Sequence, residues 1–279
     1  MNNFSTSQIP AVVINLTRHP DRLTWFLNQA MQAGITVERI DAVDANDPGT
    51  IDDLKSIEAN GALLSNAELA CIMSHRKAWQ QLIDSPHDYI AIFEDDVYLS
   101  KDTPSLLSQD FAALGVNILK LESPIGKVCY RHTAETEICG RTIHRLLTKA
   151  YGAAGYIISR NCAQRLLVIS QHCSEPVDVI LFDDKSPITK DFLVFQIIPA
   201  ACIQDNVMSL MLGRQGRFES AIAIISKDDQ DRRKTARKKN RSIISCRKFF
   251  QYLRCIRNGA KIFGQRDYVP FDLGSPSIK

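Results

Sequence analysis

The eight cysteines of this chain lack the close pairing that structural metal sites and disulfide frameworks need. None of them forms a Cys-x-x-Cys pair, and their spacing along the 279 residues is irregular. Small disulfide-stapled domains and zinc modules use short, regular cysteine spacings. We therefore expect reduced thiols in a reducing compartment.

Long apolar runs are also missing. No stretch approaches the roughly 18 consecutive apolar residues that suggest a membrane-spanning helix. Residues 1–10 carry neither the basic start nor the apolar stretch of a secretory signal peptide. These features predict a protein that stays in the cytoplasm, although it can touch a membrane surface.

A third absence concerns nucleotide binding. The segment Tyr151–Gly155 contains two glycines but lacks the Gly-Lys-Ser/Thr ending of a phosphate-binding P-loop. This excludes a P-loop on this segment. The two glycines instead predict either a tight entry into a strand or a place where the backbone comes close to a ligand.

The chain does have a composition that can build a sizeable core, together with a strongly uneven charge. Hydrophobic residues make up 45% and charged residues 23% of the chain, as is usual for a globular protein. The net charge is only +3, yet residues 227–266 hold 14 basic residues against three aspartates, a local charge of +11. The remainder therefore carries −8, which predicts an acidic body for chemistry and a basic tail for anionic attachment.

The order of apolar segments predicts an α/β fold. Residues 11–16 form a short run rich in β-branched side chains, typical of a buried strand. A helical pattern follows, with Pro20 in its first turn and Gly34 at its end, and residues 37–40 predict a second strand. A strand, helix and strand within about 30 residues indicate a βαβ unit and a parallel sheet covered by helices.

Further elements are predicted after this unit. A capping box at Ser65 and Glu68 begins a helix that ends near Asp84, and Ser159 is placed to cap another helix. More strands are predicted at 89–93, 117–121, 153–158 and, in part, 192–203, with a flap or edge hairpin at 127–145.

Three consecutive acids, Glu94, Asp95 and Asp96, follow the predicted strand 89–93 directly. Ligands of open α/β sheets bind at the carboxyl ends of the strands. Adjacent carboxylates repel each other, so they are most stable beside a cation or in open water. A hard divalent metal binds carboxylate and phosphate oxygens, which points to a metal site for a nucleotide diphosphate. A solvated acidic turn is the alternative, and the apolar segments on both sides make it less favourable.

With these acids in place, the sequence resembles glycosyltransferase family twenty-five, the bacterial lipopolysaccharide glycosyltransferases. Glu94-Asp95-Asp96-Val97 looks like the acidic motif of the family. Glu68–Trp79 resembles its most distinctive segment, a Glu-x-x-Cys-x-x-Ser-His pattern. Further similar segments occur in the same order at 13–22, 41–44, 155–160 and 176–178. The resemblance covers residues 11–210, and it rests on the order and spacing of motifs that are weak one by one.

The resemblance implies a GT-A-like fold with a Rossmann-like, mostly parallel sheet flanked by helices. It implies transfer of a hexose, commonly galactose, from a UDP-sugar to a lipooligosaccharide or lipopolysaccharide acceptor, with inversion at the anomeric carbon. It also implies Mn²⁺, or Mg²⁺, bound through Asp96 and Glu94, with donor contacts from Glu94 and Asp95. The motif here is Glu-Asp-Asp instead of Asp-x-Asp, so the division of these roles among the three acids stays open.

The same resemblance assigns residues around the motif. The nucleotide-sugar pocket is expected to be lined by Arg18, Arg22, Asp44 and His75 and, more weakly, by Lys120 and Gln204. An inverting transfer needs a general base for the acceptor hydroxyl. The candidates are Asp178, at a position where the family has an acid, and Glu122 in reserve. Solvated helix-terminal arginines, a structural histidine and a capping aspartate are the alternative interpretations.

The basic tail gives the chain a second predicted part. We expect a catalytic domain at residues 1–225 and a basic amphipathic, helical segment at residues 226–279. Such a helix can lie on an anionic membrane surface, where a lipid-linked saccharide acceptor would be concentrated. This places the protein on the cytoplasmic face of the inner membrane. The alternative is a solvated helix packed on the body, and nucleic acid is not expected because no recognition motif accompanies the charge.

Two other functions remain open. A Mg²⁺-dependent phosphohydrolase could use the same carboxylates, but it would need a second cluster of acids to hold two metals. A non-catalytic protein could bind an anionic surface through the tail alone. In that case Glu94, Asp95 and Asp96 could be replaced without loss of function.

Overall fold

The N-terminal strand, helix and strand form the parallel unit that the sequence predicts. The computed structural model of the protein describes residues 8–47, 49–50, 64–172, 175–218 and 264–272. β1 (Ala11–Asn15) is buried along its whole length and pairs in parallel with β2 (Val37–Asp41). Helix α1 (Pro20–Ala33) connects them and ends at Gly34, whose φ of 80° is the left-handed conformation that glycine adopts without steric cost. The predicted βαβ unit is confirmed.

The second long helix and the strand after it bring the acidic motif to the edge of the sheet. Helix α2 (Asn66–Asp84) begins with the predicted capping box. The Ser65 hydroxyl and the Glu68 carboxylate each accept a hydrogen bond from the other residue's backbone N–H. β3 (Tyr89–Glu94) pairs in parallel with β1, so the carboxyl ends of β1, β2 and β3 lie at one edge of the sheet.

The central sheet is mixed, with most strands pointing the same way. The remaining strands are β4 (Val97–Leu99), β5 (Ile118–Lys120), β6 (Val128–Arg131), β7 (Thr136–Ile138), β8 (Arg141–Arg145), β9 (Gly155–Ser159), β10 (Val194–Ile198), β11 (Cys202–Gln204) and β12 (Gly264–Asp267). In the described part of the chain, eight of the strands form one sheet in the order β2-β1-β3-β9-β5-β10-β8-β7. β9 and β8 run antiparallel to their neighbours, and the other six strands share one direction. The predicted α/β fold is confirmed.

Helices cover both faces of this sheet because side chains alternate along each strand. Among the described residues, further helices are α3 (Thr103–Leu107), α4 (Arg160–Ile169), α5 (Val177–Phe182), α6 (Ile188–Asp191) and α7 (Asp205–Met211). On one face, Val12 and Ile14 pack with α2, α4, α5 and α6 around Trp79 and Tyr156, and on the other face Val13 packs with α1 and α3. Trp79 is fully buried, and its replacement by alanine would cost about 3 to 5 kcal/mol of unfolding free energy. The core therefore holds α2 rigidly against the end of β3.

Residues 264–272 return to the body of the protein. β12 pairs antiparallel with β6, and the Val269 carbonyl accepts a hydrogen bond from the Ser123 hydroxyl. Most of the predicted basic segment 226–279 lies outside the described residues, so its helix and the domain boundary stay predictions. Within the described ranges, no helix is long and apolar enough to cross a membrane.

Candidate active site

The acidic motif begins where β3 ends, and its middle residue is the most firmly held. The Asp95 carboxylate accepts a hydrogen bond from the Asn15 amide at 2.6 Å and pairs with Arg22 at 2.7 Å. Asn15 is the last residue of β1, and Arg22 lies in the first turn of α1. Burial raises the pKa of Asp95, and the charge of Arg22 opposes this rise. Asp95 therefore anchors the motif to β1 and α1.

Asp96 is buried but less well paired. One carboxylate oxygen contacts Arg22 at 3.0 Å, and the other lies 3.5 Å from the Gln204 amide nitrogen. The same nitrogen lies 3.3 Å from a Glu94 oxygen, so both carboxylates lie beside the Gln204 amide. Burial, followed by the charges of Glu94 and Asp95, raises the pKa of Asp96 to about 7, although Arg22 opposes the rise.

This arrangement fits a hard divalent cation. The motif has three carboxylates and one guanidinium, which contacts Asp95 and Asp96, so its formal charge is −2. Glu94 and Asp96 offer oxygen ligands, which Mg²⁺ and Mn²⁺ prefer. Magnesium is commonly held by one or two carboxylates, and substrate phosphate oxygens complete its coordination. The raised pKa of Asp96 is the mark of a carboxylate whose charge is incompletely balanced.

A buried hydrogen-bond chain leads from the core to Glu94. The Trp79 indole N–H donates to the Tyr156 hydroxyl at 2.9 Å, and that oxygen lies 2.8 Å from His75 Nδ1. His75 Nε2 lies 3.4 Å from a Glu94 oxygen. The indole can only donate, so the Tyr156 hydroxyl is best satisfied when its own proton goes to Nδ1. His75 then carries its proton on Nε2 and donates it to Glu94, which orients this carboxylate.

The other residues predicted to line the pocket take different places. Arg22 belongs to the motif, because its side chain is 9% exposed and its Nε has no hydrogen-bond partner among the described residues. That buried donor is available to an anionic ligand. Arg18 and Asp44 pair with each other at the ends of β1 and β2, each about one third exposed. Burial raises the pKa of Asp44, but hydrogen bonds from Arg18 and a backbone N–H outweigh it and lower the pKa. His75 is 1% exposed, so it acts on the site through Glu94.

The two candidate bases meet at Gly152. Glu122 is fully buried, and it accepts hydrogen bonds from Lys120 Nζ at 2.7 Å and the Ala154 N–H at 3.1 Å. Burial raises the pKa of Glu122, against the charge of Lys120. Asp178, in the first turn of α5, is partly exposed and accepts a hydrogen bond from the Gly152 N–H at 3.3 Å. Gly152 has a φ of 90°, and a Cβ there would lie 2.4 Å from a Glu122 oxygen, so the turn requires glycine.

Asp178 also lies on the same side of the sheet as the acidic motif. Burial raises the pKa of the Cys71 thiol, and the charges of Glu94, Asp178, Glu68 and Asp96 raise it further. The charges of these four acids therefore all act on the Cys71 thiol near the start of α2. The partly exposed Asp178 is therefore close enough to α2 for its charge to act on Cys71.

Three residues of this site have no assigned role in the sequence-based prediction: Asn15, Cys71 and Tyr156. A signal exists for Asn15, because it is a polar residue at the carboxyl end of an otherwise apolar strand. Tyr156 lies within an apolar run, so the sequence predicts a core residue and gives no signal of a role in the site. Gln204, predicted only as a weak candidate, lies between two carboxylates of the motif.

Most of this site lies in a region that matches a known family. A model of the family described as Glycosyltransferase family 25 (LPS biosynthesis protein) matches residues 8–181. The match includes the acidic motif, His75 and Asp178, and it ends before Gln204.

Individual relatives agree with this match. The chain is 31% identical over 194 residues to the lacto-N-neotetraose biosynthesis glycosyltransferase LgtE of Neisseria meningitidis serogroup B, covering 65% of each protein. It is 33% identical over 152 residues to LgtB of the same organism, covering 51% of this chain and 55% of LgtB. It is 30% identical over 156 residues to the lipooligosaccharide biosynthesis protein lic2B of Haemophilus influenzae, covering 52% and 56%. The chain thus spans about half to two thirds of the length of the curated relatives it matches.

Similarity to solved structures is lower. A glycosyltransferase involved in the glycosylation of the major capsid of PBCV-1 aligns with a TM-score of 0.31 and 6% identity, over 59% of this chain and 66% of that chain. The inositol-1-phosphate CTP transferase from T. maritima aligns with a TM-score of 0.39 and 8% identity, over 80% and 95%. The family match, by contrast, spans more than half of the sequence, and the chain therefore belongs to glycosyltransferase family 25, the lipopolysaccharide biosynthesis proteins.

Proposed function

We propose that the chain is a glycosyltransferase that moves a hexose, with galactose as the first candidate, from a UDP-sugar to a lipooligosaccharide or lipopolysaccharide acceptor. Family membership supports the reaction class. The names of relatives such as lic2B support the acceptor class. The observation that carries the proposal is the pair Glu94 and Asp96, which lie beside the same Gln204 amide at the end of the sheet with unbalanced charge.

The site residues suit the departure of a diphosphate. A divalent cation, Mn²⁺ or Mg²⁺, would supply neutralisation of the leaving group's charge when bound. Asp96 and Glu94 would hold it, because an oxygen of each lies within 3.5 Å of the same Gln204 nitrogen, which the cation would displace. Arg22 offers its buried Nε–H to a phosphate oxygen. Asn15 and Arg22 fix Asp95, which keeps the motif in place. A contact between Asp95 and the UDP-sugar stays a prediction.

Asp178 is the proposed general base of an inverting transfer. It is partly exposed, so an acceptor hydroxyl can reach it, whereas Glu122 is fully buried and already paired with Lys120. The Asp178 carboxylate would take the hydroxyl proton as the acceptor oxygen bonds to the anomeric carbon. The bond from that carbon to the diphosphate breaks on the opposite face. Glu122 is better suited to holding the Gly152 turn.

The first test is donor turnover by the full chain. The protein is incubated with Mn²⁺ and each UDP-hexose separately, with and without a truncated lipooligosaccharide, and released UDP is measured. Release that depends on one donor, on metal and on the acceptor supports the transferase and identifies its sugar. Asp96→Asn should abolish release. Asp88→Asn is the matched control, because this aspartate precedes the opposite end of β3 and its side chain is 86% exposed.

Failure of the proposal has a clear form. No release from any donor with varied acceptors, together with no binding of UDP in calorimetry, would overturn it. Unchanged UDP release by Asp96→Asn would show that Asp96 is not the metal ligand, but it would not contradict the reaction class.

We also propose that the basic segment 226–279 holds the enzyme on an anionic membrane surface, at the cytoplasmic face of the inner membrane. The support is the local charge of +11 at residues 227–266 and the need to reach a lipid-linked acceptor. Vesicles with anionic phosphatidylglycerol should co-sediment with the full chain at low salt and release it at high salt. Equal binding to neutral phosphatidylcholine vesicles would contradict this proposal.

The described residues do not favour the phosphohydrolase alternative. Such an enzyme holds two metals about 3.5 to 4 Å apart between several acids. Within the described ranges, only one group of three or more His, Cys, Asp or Glu residues has donor atoms within 4.8 Å of one another. That group contains a single carboxylate.

A further inference from the structure

The start of α2 places a thiol and an imidazole beside the acidic motif. Cys71 and His75 are four residues apart, so they lie on one face of the helix. Cys71 Sγ, a ring nitrogen of His75 and a Glu94 carboxylate oxygen all lie within 4.8 Å of one another. The proposed transfer reaction uses neither the thiol nor this combination of ligands.

We propose that Cys71, His75 and Glu94 form a second cation site, which takes a soft divalent metal ion of the Zn²⁺ class. Thiolate and imidazole ligands select Zn²⁺, whereas carboxylate and water suit Mg²⁺ and Mn²⁺. With the thiol deprotonated, the three ligands carry a charge of −2, which balances the cation. Glu94 belongs to both sites, because one of its oxygens faces His75 and the other faces Gln204.

The cluster lies close to coordination geometry. Ligand atoms of a tetrahedral zinc site, with bonds of about 2.0 to 2.3 Å, lie about 3.6 Å apart. Separations of up to 4.8 Å therefore require these side chains to move inward by about 1 Å when the ion binds. Cys71 and Glu94 are only partly buried, so the ion can enter from solvent and keep a water as its fourth ligand.

Two proton movements accompany binding. The Cys71 thiol releases its proton to solvent as the bond between sulfur and metal forms. His75 binds the ion through Nε2 in the tautomer that carries its proton on Nδ1, and the Tyr156 oxygen at 2.8 Å accepts a hydrogen bond from this N–H. Tyr156 then fixes the ring from the far side, as the outer partners of metal-bound histidines do.

Occupancy of this site should interfere with the diphosphate-binding cation, a consequence that rests on the proposed function. Glu94 cannot serve both ions fully, because the same carboxylate would have to turn toward each of them. Zn²⁺ should therefore inhibit UDP release, and added Mn²⁺ should relieve the inhibition.

The test measures binding of the metal alone, so it does not depend on finding the sugar donor. The full chain is stripped of metal under reducing conditions and titrated with Cd²⁺, whose thiolate charge-transfer absorption reports a bond to sulfur. Zn²⁺ affinity is measured in parallel by competition with a chromophoric chelator. The variants are Cys71→Ser, Cys71→Ala and His75→Gln, with Cys139→Ser as control because this thiol is exposed and lies outside the cluster.

We expect the parent and Cys139→Ser to share one binding event that both Cys71 variants lose. His75→Gln should bind Zn²⁺ at least about tenfold more weakly. Circular dichroism checks that each variant is folded, and two replacements at position 71 separate loss of the ligand from loss of structure. Folded Cys71→Ser and Cys71→Ala proteins that bind Zn²⁺ and Cd²⁺ as tightly as the parent would overturn the proposal, whatever the outcome for UDP release.

Discussion

Replacement of Asp96 by asparagine should stabilise the metal-free protein while it removes the proposed activity. Asparagine keeps the size of the side chain and an oxygen that can face Gln204, but it removes the negative charge. That charge is unfavourable in the metal-free fold, because Asp96 is buried beside Glu94 and Asp95 with only Arg22 to balance the group. Residues that serve ligand binding at a cost in stability commonly behave in this way.

The pKa of Asp96 sets the size and the pH dependence of the effect. It is about 7 in the folded protein, against an ordinary value of 3.8. A difference of about 3 pH units corresponds to about 4 kcal/mol, at about 1.36 kcal/mol per pH unit. The folded state holds this proton more tightly than the unfolded state, so the contribution favours folding below about pH 4 and is lost as the pH rises to about 7. The gain from Asp96→Asn should therefore approach about 4 kcal/mol at pH 8 and fall to less than half of that at pH 5.

Urea unfolding in the presence of EDTA at pH 5 and pH 8 measures this effect. Addition of Mn²⁺ in place of EDTA should stabilise the parent at pH 8, because the cation binds the folded state only. Asp96→Asn should lose most of this response, and Asp88→Asn should behave as the parent in every condition. An Asp96→Asn protein that is less stable than the parent at pH 8 in EDTA would refute the reasoning.

Three further predictions follow from contacts elsewhere in the site and its support. Gly152→Ala should destabilise the fold by about 2 kcal/mol or more, because the new Cβ meets the Glu122 carboxylate at 2.4 Å in a left-handed conformation. Gly126→Ala, with a φ of 84° and nothing within 4 Å, is the control that isolates the backbone effect in thermal unfolding. His75→Leu should lower kcat/KM for the UDP-sugar by up to about tenfold, because the Glu94 carboxylate loses the hydrogen-bond donor that orients it. Unaltered kinetics would show that this contact does not matter. Arg141→Met should cost about 3 to 5 kcal/mol in urea unfolding, because this buried guanidinium makes six hydrogen bonds; a loss below 1 kcal/mol would contradict a structural role.

Elements with a local chemical signal could be predicted from the sequence, and their arrangement in the sheet could not. The capping box at Ser65 and the glycine that ends α1 act within a few residues, so their patterns are sufficient. The apolar run that forms β9 is compatible with a parallel strand and with an antiparallel strand. Its place between β3 and β5, antiparallel to both, depends on pairing with residues far along the chain.

The same distinction applies to the site. The three acids at the end of β3 could be predicted, because a buried strand that runs into consecutive carboxylates is visible locally. Their partners could not, since Asn15 lies 80 residues from Asp95 and Gln204 lies 108 residues from Asp96 in the sequence. The sequence predicts His75 near the nucleotide or the metal, but its burial could not be predicted, because packing around Trp79 and Tyr156 imposes it.

The long-range partners also explain why the charge of the motif stays unbalanced. Arg22 lies between Asp95 and Asp96, and one guanidinium can neutralise only one of the three negative charges. The group that approaches Glu94 and Asp96 from β11 is the Gln204 amide, a neutral donor at 3.3 and 3.5 Å. A lysine there would balance another charge, whereas the neutral amide leaves that charge in place. The remaining charge of −2 is therefore built into the fold, and only a bound cation or a proton on an acid of the motif can reduce it.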